Sequence, residues 1–386
     1  MKIQNLKWKC ENCRILVLDE RHSTTFIKKM NLDLEQIFFL NMHLLTIYIL
    51  PLVKFAIKKL ITMDFRIKNI KALYLLSIVD AVNPSFIFSA VDNNKNYWLL
   101  KNYFPDIKVF LFQNGLRGIG SLKTRDHFYL EGDNMEVDHI FIMTKNEKQW
   151  YVKNFLKAKY VHVCGSIKNN EIEVNSKVQG STLVYLLQYK HHDYLKPDQQ
   201  LSRYLNSSGE YLSYEDIYGK NVLILSALED FCKKNTLDFQ IFGRAKDLET
   251  AREERSYLEH LGFGHIDYIF KTTEVETYQY LDRMAFIVTL SSTLGHEMLS
   301  RGRPVFFWGV RNWAGKDQIF GYGQFGVRGE FWTIDLDLAS VTPLLTRFIT
   351  FTASDWSTFY EKYSAAILPL DSKNIRFNRA LQRAMS

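Results

Sequence analysis

The chain has few cysteines, no leader-like N-terminus, no internal repeat and no low-complexity segment. Its four thiols, Cys10, Cys13, Cys164 and Cys232, are too few for a disulfide framework in 386 residues. That predicts a reducing, cytoplasmic setting. Cys10 and Cys13 have the spacing of half a zinc ribbon or of a redox pair, but no second Cys or His pair follows at ligand spacing, so ordinary thiols and no metal site are expected. Met1 to Lys9 is polar and lacks an apolar core followed by a cleavage site, so no signal peptide is expected. The run from Ile37 to Val53 is about as long as the shortest spanning segments. Asn41, His43, Thr46 and Pro51 interrupt it, which favours a buried helix under an N-terminal sheet, with peripheral attachment to the inner leaflet as the second reading. The charge excess is small, +7 from 49 basic and 42 acidic residues. Spread along the chain, it does not argue for nucleic acid, and it suits an anionic donor or an anionic membrane surface.

What is present is ordinary globular composition, 47% hydrophobic and 24% charged, with aromatics high at 15%. The length allows two domains with sizeable cores. Short apolar runs alternate with longer mixed segments, the pattern of βαβ units in parallel sheets. Strands are expected at 14–18, 72–79, 85–91, 108–112, 139–143, 160–163, 182–188, 237–244, 286–290 and 304–308. Helices are expected within 35–63, at 145–157, 220–234 and 251–261, after Ser292, and through the tail 338–386. The stretch from about 171 to 180 turns polar and reads as a linker, dividing the chain into 1–178 and 179–386. The fold class is therefore α/β, two Rossmann-like domains.

The segment from Phe286 to Trp308 organises the second half. Phe286 to Leu290 is a β-branched, apolar strand, and Ser291, Ser292 and Thr293 cap the helix that follows. A strand ending in hydroxyls and running into a helix is a phosphate seat. The first-turn amides point outward, the dipole adds partial positive charge, and Gly295 is expected to leave room for a ligand. Other polar residues also fall at strand ends, where α/β sheets bind ligands. They are Asp92, then Gln113 to Arg117, Gly165 to Asn170, and Gly243 with Arg244.

An ordered set of short words runs from Ser85 to Trp332. It comprises Gln-Asn-Gly-Leu-Arg (113–117), Val-Asp-His-Ile-Phe (137–141), Gly-Ser-Ile-Lys-Asn-Asn (165–170), Phe-Gly-Arg (242–244), Ser-Ser-Thr-Leu-Gly-His-Glu (291–297) and Gly-Glu-Phe-Trp (329–332). The set resembles GT-B glycosyltransferases of bacterial capsule and O-antigen assembly, and distantly the sialyl and β-Kdo transferases that use CMP-sugars. The resemblance implies two domains facing each other across a cleft, an acceptor-side domain over 1–178 and a nucleotide-sugar domain over 179–386, with a C-terminal tail that in such proteins often crosses back. It implies a nucleotide-sugar donor, a glycan or glycolipid acceptor, no cofactor, and work at the cytoplasmic face with peripheral contact at the inner membrane. The CMP-sugar enzymes carry an acidic pair before the first glycine and a His-Pro pair in the second domain. Here Gln113-Asn114-Gly115 and Gly243-Arg244 stand near those places, so neither carboxylate nor His carries over, and Asn114 can orient a sugar but not take its proton.

On this reading the donor is held by Gly243, Arg244, Ser291, Ser292, Thr293, Gly295, His296 and Glu297, with Glu297 on the ribose. Helix amides and a guanidinium can meet the leaving-group charge without a metal. The acceptor is held by Gln113, Asn114, Gly115, Arg117, Ser166, Lys168 and Asn169. The base that takes the acceptor proton is expected to be Asp126, then Glu131 or Asp92. Two alternatives stand beside the glycosyltransferase. One is a polyol-phosphate polymerase-like transferase or UDP-sugar epimerase of the same plan. The other is a non-catalytic nucleotide-binding relative that has lost the base.

Overall fold

The computed structural model describes residues 3–7, 9–19, 34–40, 45–61, 70–92, 94–117, 135–153, 156–175, 177–178, 180–188, 200–205, 211–309, 322 and 325–386. These fall into two compact units. The first takes residues up to Gly115, those between Tyr129 and Ile167, and Asn374–Ser386; the second takes Leu116, Arg117 and all from Lys168 to Lys373.

In the first unit the chain runs β1 (Ile3–Lys7), β2 (Ile15–Leu18), β3 (Ile37–Leu40), β4 (Leu45–Tyr48), α1 (Ile49–Ile61), α2 (Ile70–Val82), β5 (Phe86–Ser89), β6 (Lys108–Phe112), β7 (Met135–Ile142), α3 (Lys145–Lys153) and β8 (Leu156–Val163). Six of these strands form one sheet in the order β3-β2-β5-β6-β7-β8. All its pairings are parallel. Its central strands β2, β5 and β6 are buried on both faces, which is why they read as continuous apolar runs rather than alternating ones. The C-terminal helix Ile375–Met385 packs on this sheet. Phe377 meets Phe112 and Phe141 edge-on at 5.7 and 5.1 Å between centroids.

Two sequence expectations are corrected here. Residues 72–79, read as a strand, lie in α2, because a run that is apolar on every side carries no period to separate strand from helix. Ala72, Tyr74 to Val79 and Val82 are all buried along it. The run 37–53 is not one helix. Its first four residues, two of them aromatic, pair with β2 as β3. Leu45–Tyr48 pairs with β1 in a separate two-stranded sheet. Helix begins only at Ile49, with Pro51 in its first turn, where proline's missing N–H costs nothing. Among the described residues no helix is long and apolar enough to cross a membrane.

The second unit runs β9 (Thr182–Leu186), β10 (Gln200–Leu205), β11 (Tyr211–Ser213), α4 (Lys220–Asn235), β12 (Asp238–Phe242), α5 (Leu248–His260), β13 (Asp267–Ile269), α6 (Glu274–Leu281), β14 (Phe286–Thr289), α7 (Thr293–Ser300), β15 (Val305–Trp308) and β16 (Trp332–Thr333). Its main sheet has the order β13-β12-β9-β14-β15-β16. The pairings are again all parallel. Numbered within the sheet this is 3-2-1-4-5-6, the doubly wound order whose direction reverses between its first and fourth strands. Both domains are thus parallel α/β sheets flanked by helices.

A histidine pair, His139 buried and His162 half-buried, ties β7 to β8. His139 Nδ1 lies 3.1 Å from His162 Nε2. The His139 ring stacks on Phe110 and Tyr160 at 4.8 and 4.9 Å. Burial, with the second imidazole behind it, lowers the His139 pKa to about 4. Between that value and the ordinary one near 6.5 the unfolded chain binds the extra proton, so stability is full above pH 6.5 and falls as pH drops through the window. We expect an acid loss of up to about 3 kcal/mol in pH-dependent urea unfolding, and a flatter acid limb for His139→Phe.

Candidate functional site

Strand register places the candidate site of the second unit. Phe242, Leu186 and Thr289 are direct neighbours across β12, β9 and β14, and Thr289 is level with Phe307 of β15. Two residues further on stand Arg244, Gln188, Ser291 and Gly309, one from each strand, at the carboxyl edge where the sheet order reverses. Gln188 closes the reversal point from within. Its Oε1 accepts the Ser291 amide at 3.1 Å. Its own carbonyl accepts Asn221 Nδ2 at 3.0 Å, and Asn221 in turn bonds Tyr185 and Tyr257 at 3.0 and 2.8 Å. Gln188 and Asn221 were not found from the sequence, since a lone amide after a strand and one in a helix carry no visible signal.

Helix α7 opens beside this network. Ser292 is its N-cap, extended at φ −70 and ψ 134, and its hydroxyl accepts Leu294 N–H at 3.3 Å. The Gly295 amide reaches the Ser292 carbonyl at 3.0 Å. That leaves the Thr293 amide, which has no acceptor among the described residues. Thr293 and Ser292 are half-exposed. The Ser291 hydroxyl, on a buried residue, also lacks a partner. The arrangement can present one backbone donor, hydroxyls and the positive end of a helix to an anion.

Gly295 differs from expectation. A Cβ there would meet Thr289 Cγ2 at 2.6 Å and Phe307 at 3.4 Å, so the missing side chain lets α7 lie against β14 rather than leaving space for a ligand. His296 is buried beside Phe307 and Tyr322, with ring centroids at 4.3 and 5.5 Å. Burial lowers its pKa to about 3, so the ring is neutral. Glu297 is buried and its Oε2 accepts the Tyr278 hydroxyl at 2.8 Å. Burial, then the nearby carboxylate, raises the Tyr278 pKa well above the ordinary value.

After β12 the turn is held by a carboxylate from α5. Glu254 accepts the amides of Arg244 and Ala245 at 2.9 and 3.3 Å and the Tyr268 hydroxyl at 2.6 Å. Burial raises its pKa against these bonds. A Cβ on Gly243 would sit 2.3 Å from Glu254 Oε2, which accounts for the glycine. The Arg244 side chain is exposed and makes no hydrogen bond or ion pair among the described residues.

The residues expected around an acceptor separate into two kinds. Gln113 is buried and structural in its contacts, donating to Glu147 Oε1 at 3.0 Å and accepting the Met143 amide at 2.6 Å. Asn114 is exposed, Gly115 buried and Arg117 half-buried. Ser166 and Asn169 are buried, and Lys168 pairs with Glu274 at 2.6 Å. Of the base candidates, Asp126 and Glu131 lie outside the described residues. Asp92 follows β5, is fully buried, and accepts the Tyr151 hydroxyl at 3.3 Å. A second buried carboxylate, Asp19, follows β2 and accepts the Tyr97 hydroxyl, with its Oδ1 unpartnered. β2 and β5 are the neighbours between which the first sheet reverses. Asp19 was missed because an acid in Asp-Glu-Arg reads as a solvated loop. Among the described residues no three His, Cys, Asp or Glu side chains gather as metal ligands. A cavity of about 390 Å³, lined by Cys10, Pro51, Lys54 and Asp80 among others, contains none of the candidate residues.

A family model described as "putative O-antigen biosynthesis protein" matches residues 110–385. The chain belongs to this family. The O-antigen biosynthesis chain matches no curated protein. Among solved structures it is similar to one titled a "putative UDP-N-acetylglucosamine 2-epimerase" from Listeria monocytogenes, with 12% identity, TM-score 0.54, and 96% of this chain and 95% of that one covered. It is similar to UDP-GlcNAc 2-epimerase from Methanocaldococcus jannaschii, in complex with UDP-GlcNAc and UDP, at 11% identity, TM-score 0.53, with 98% and 100% covered. It is also similar to S. aureus MnaA in a co-structure with UDP, at 14% identity, TM-score 0.53, with 95% and 94% covered. At such identities the likeness is one of fold, and it extends over both α/β domains.

In this member of the family the far end of α7 is fixed by Arg301. Its Nε bonds Asp282 Oδ1 at 2.8 Å, and the pair is fully buried. The guanidinium also reaches the Asn169 side chain at 3.2 Å and the carbonyls of Ile172 and Glu173, both at 2.8 Å. Asn169 Nδ2 donates to Ser300 at 2.8 Å, so both polar ends of that amide are used inside the unit. Arg301→Ala should lower the unfolding free energy in urea by about 3–5 kcal/mol, because it strands Asp282 as a buried charge. A loss below about 1 kcal/mol, the range of exposed pairs, would contradict the burial.

Proposed function

We propose that the chain is a nucleotide-sugar glycosyltransferase of surface-polysaccharide assembly. It moves a sugar from a nucleotide donor to a glycan or glycolipid acceptor, with peripheral contact at the inner face of the membrane. The observation that carries this reading is the Thr293 amide, unpartnered among the described residues, opening α7 at the reversal point of a 3-2-1-4-5-6 sheet. Ser291, Ser292 and Thr293 are assigned to the donor phosphate and Arg244 to the charge that develops on it as the glycosidic bond breaks. Gly243 lets the Arg244 turn close, and Gly295 and His296 set the helix on the sheet. Glu297 is assigned to the ribose, sharing its carboxylate with Tyr278. Asn114, Arg117 and Lys168 are assigned to the acceptor, with Gln113, Gly115, Ser166 and Asn169 shaping the loops that carry them. Asp126 is assigned as the base, ahead of Glu131 and Asp92, with Asp19 added to the candidates.

A second reading, a UDP-sugar epimerase, draws on the solved structures of similar fold that hold UDP or UDP-GlcNAc. The two part on one result, since an epimerase consumes or epimerises UDP-sugar with no acceptor present.

Thr293→Pro tests the seat without breaking the helix. Proline is favoured at the first helical position, and the extended backbone of Ser292 is the conformation a following proline requires. In a thermal-shift screen against CMP, UDP and GDP, one nucleotide should stabilise the wild-type chain. Thr293→Pro and Arg244→Ala should each weaken that nucleotide on the order of tenfold or more, the worth of a hydrogen bond to a charged group, with little change in the melting temperature of the free protein. Ser292→Ala is the poorer probe, because losing the cap costs about 1 kcal/mol of stability by itself. No shift with any nucleotide, or unaltered affinity in both variants, would sink the reading.

A further inference from the structure

Helix α1 has two apolar faces, and only one is covered by the described residues. Pro51 and Phe55 are buried in the first unit. Val53, Ile57, Leu60 and Ile61 are 47, 51, 62 and 77% exposed. They recur at i, i+4, i+7 and i+8, so they form one stripe on the outer side of the helix. Ile70, which opens α2, is 74% exposed. The helix contains no acidic residue, Lys54 and Lys58 run along one border of the stripe, and Lys59 lies on the buried side over the Phe55 ring. Lys54 is exposed beside the stripe, and Lys58 next to it is held in place by Asp80 at 2.7 Å.

An exposed apolar stripe bordered by lysines is the composition of a helix lying in the headgroup plane of an anionic bilayer. We infer that the outer face of α1 is the surface by which this protein docks on anionic lipid, the stripe entering the acyl boundary and the lysines meeting the headgroups. A second copy fits less well, because pairing the stripe with itself would set lysines against lysines. The inference rests on the preceding reading only for its membrane location, and it names the surface and the lipid class. The donor site is in the other unit, so the two can fail separately.

The test is flotation of the full chain with vesicles of equal phosphatidylglycerol and phosphatidylcholine, and with vesicles of phosphatidylcholine alone. Binding is expected to the first and not the second, weakening as salt rises. Ile57→Glu combined with Leu60→Glu should reduce binding on the order of a hundredfold. Lys54→Glu should reduce it roughly fivefold or more. All three positions are exposed, so the melting temperature should hold. Failure of the wild-type chain to float with the anionic vesicles, or equal flotation of the double variant, overturns the inference. So does a wild-type dimer in sedimentation velocity that the double variant dissolves, which would make the stripe a contact between copies. Nucleotide thermal shifts on the same samples keep the readings apart. Lipid binding lost with nucleotide binding kept removes the docking surface alone, and the reverse removes the donor site alone.

Discussion

The Arg301 guanidinium is the constraint on which the second unit's geometry depends. A helix of eight residues has little stability of its own, since nucleation is costly and few bonds are gained. What fixes α7 is therefore its surroundings. At one end Arg301 joins Asp282, after α6, to the segment 169–173. Along its length Gly295 lets it touch β14. With axis and far end set, the direction in which the Thr293 amide points is set too. A single buried ion pair so far from any ligand gains its importance by orienting the backbone rather than by touching substrate.

Much of the frame was legible. Strands such as Lys108–Phe112 and Phe286–Thr289 are β-branched or aromatic runs bounded by turn residues, and they stand where the pattern places them. The reading failed where the pattern has no period. Ala72 to Val79 is apolar but for Ser77, and only its burial around a helix distinguishes it. The hydrophobic run from Ile37 failed for the opposite reason, several short elements having been merged into one.

Site residues were less legible than strands, because polar residues at strand ends serve two purposes. Gln113 looked like a sugar contact and holds the junction of β6, β7 and α3. Glu254 drew no notice on a charged helix, yet it satisfies two amides of the turn after β12. Buried amides must be paired, and a sequence does not say whether a carboxylate or amide meets that need or is left to meet a ligand. Asp19 was passed over for the same reason. What distinguishes the Thr293 amide is the lack of a partner among the described residues, a property of the three-dimensional arrangement that residue type does not encode.

The C-terminal helix that closes the first sheet follows the whole second unit in the chain. During synthesis the aromatic face formed by Phe110, Phe112 and Phe141 therefore waits, uncovered, for the ribosome to deliver some two hundred further residues. The half of the protein made first is the half finished last. Chaperone demand should accordingly centre on the early sheet, and separating the two units after Ile167 would leave the N-terminal fragment with an open, aggregation-prone flank.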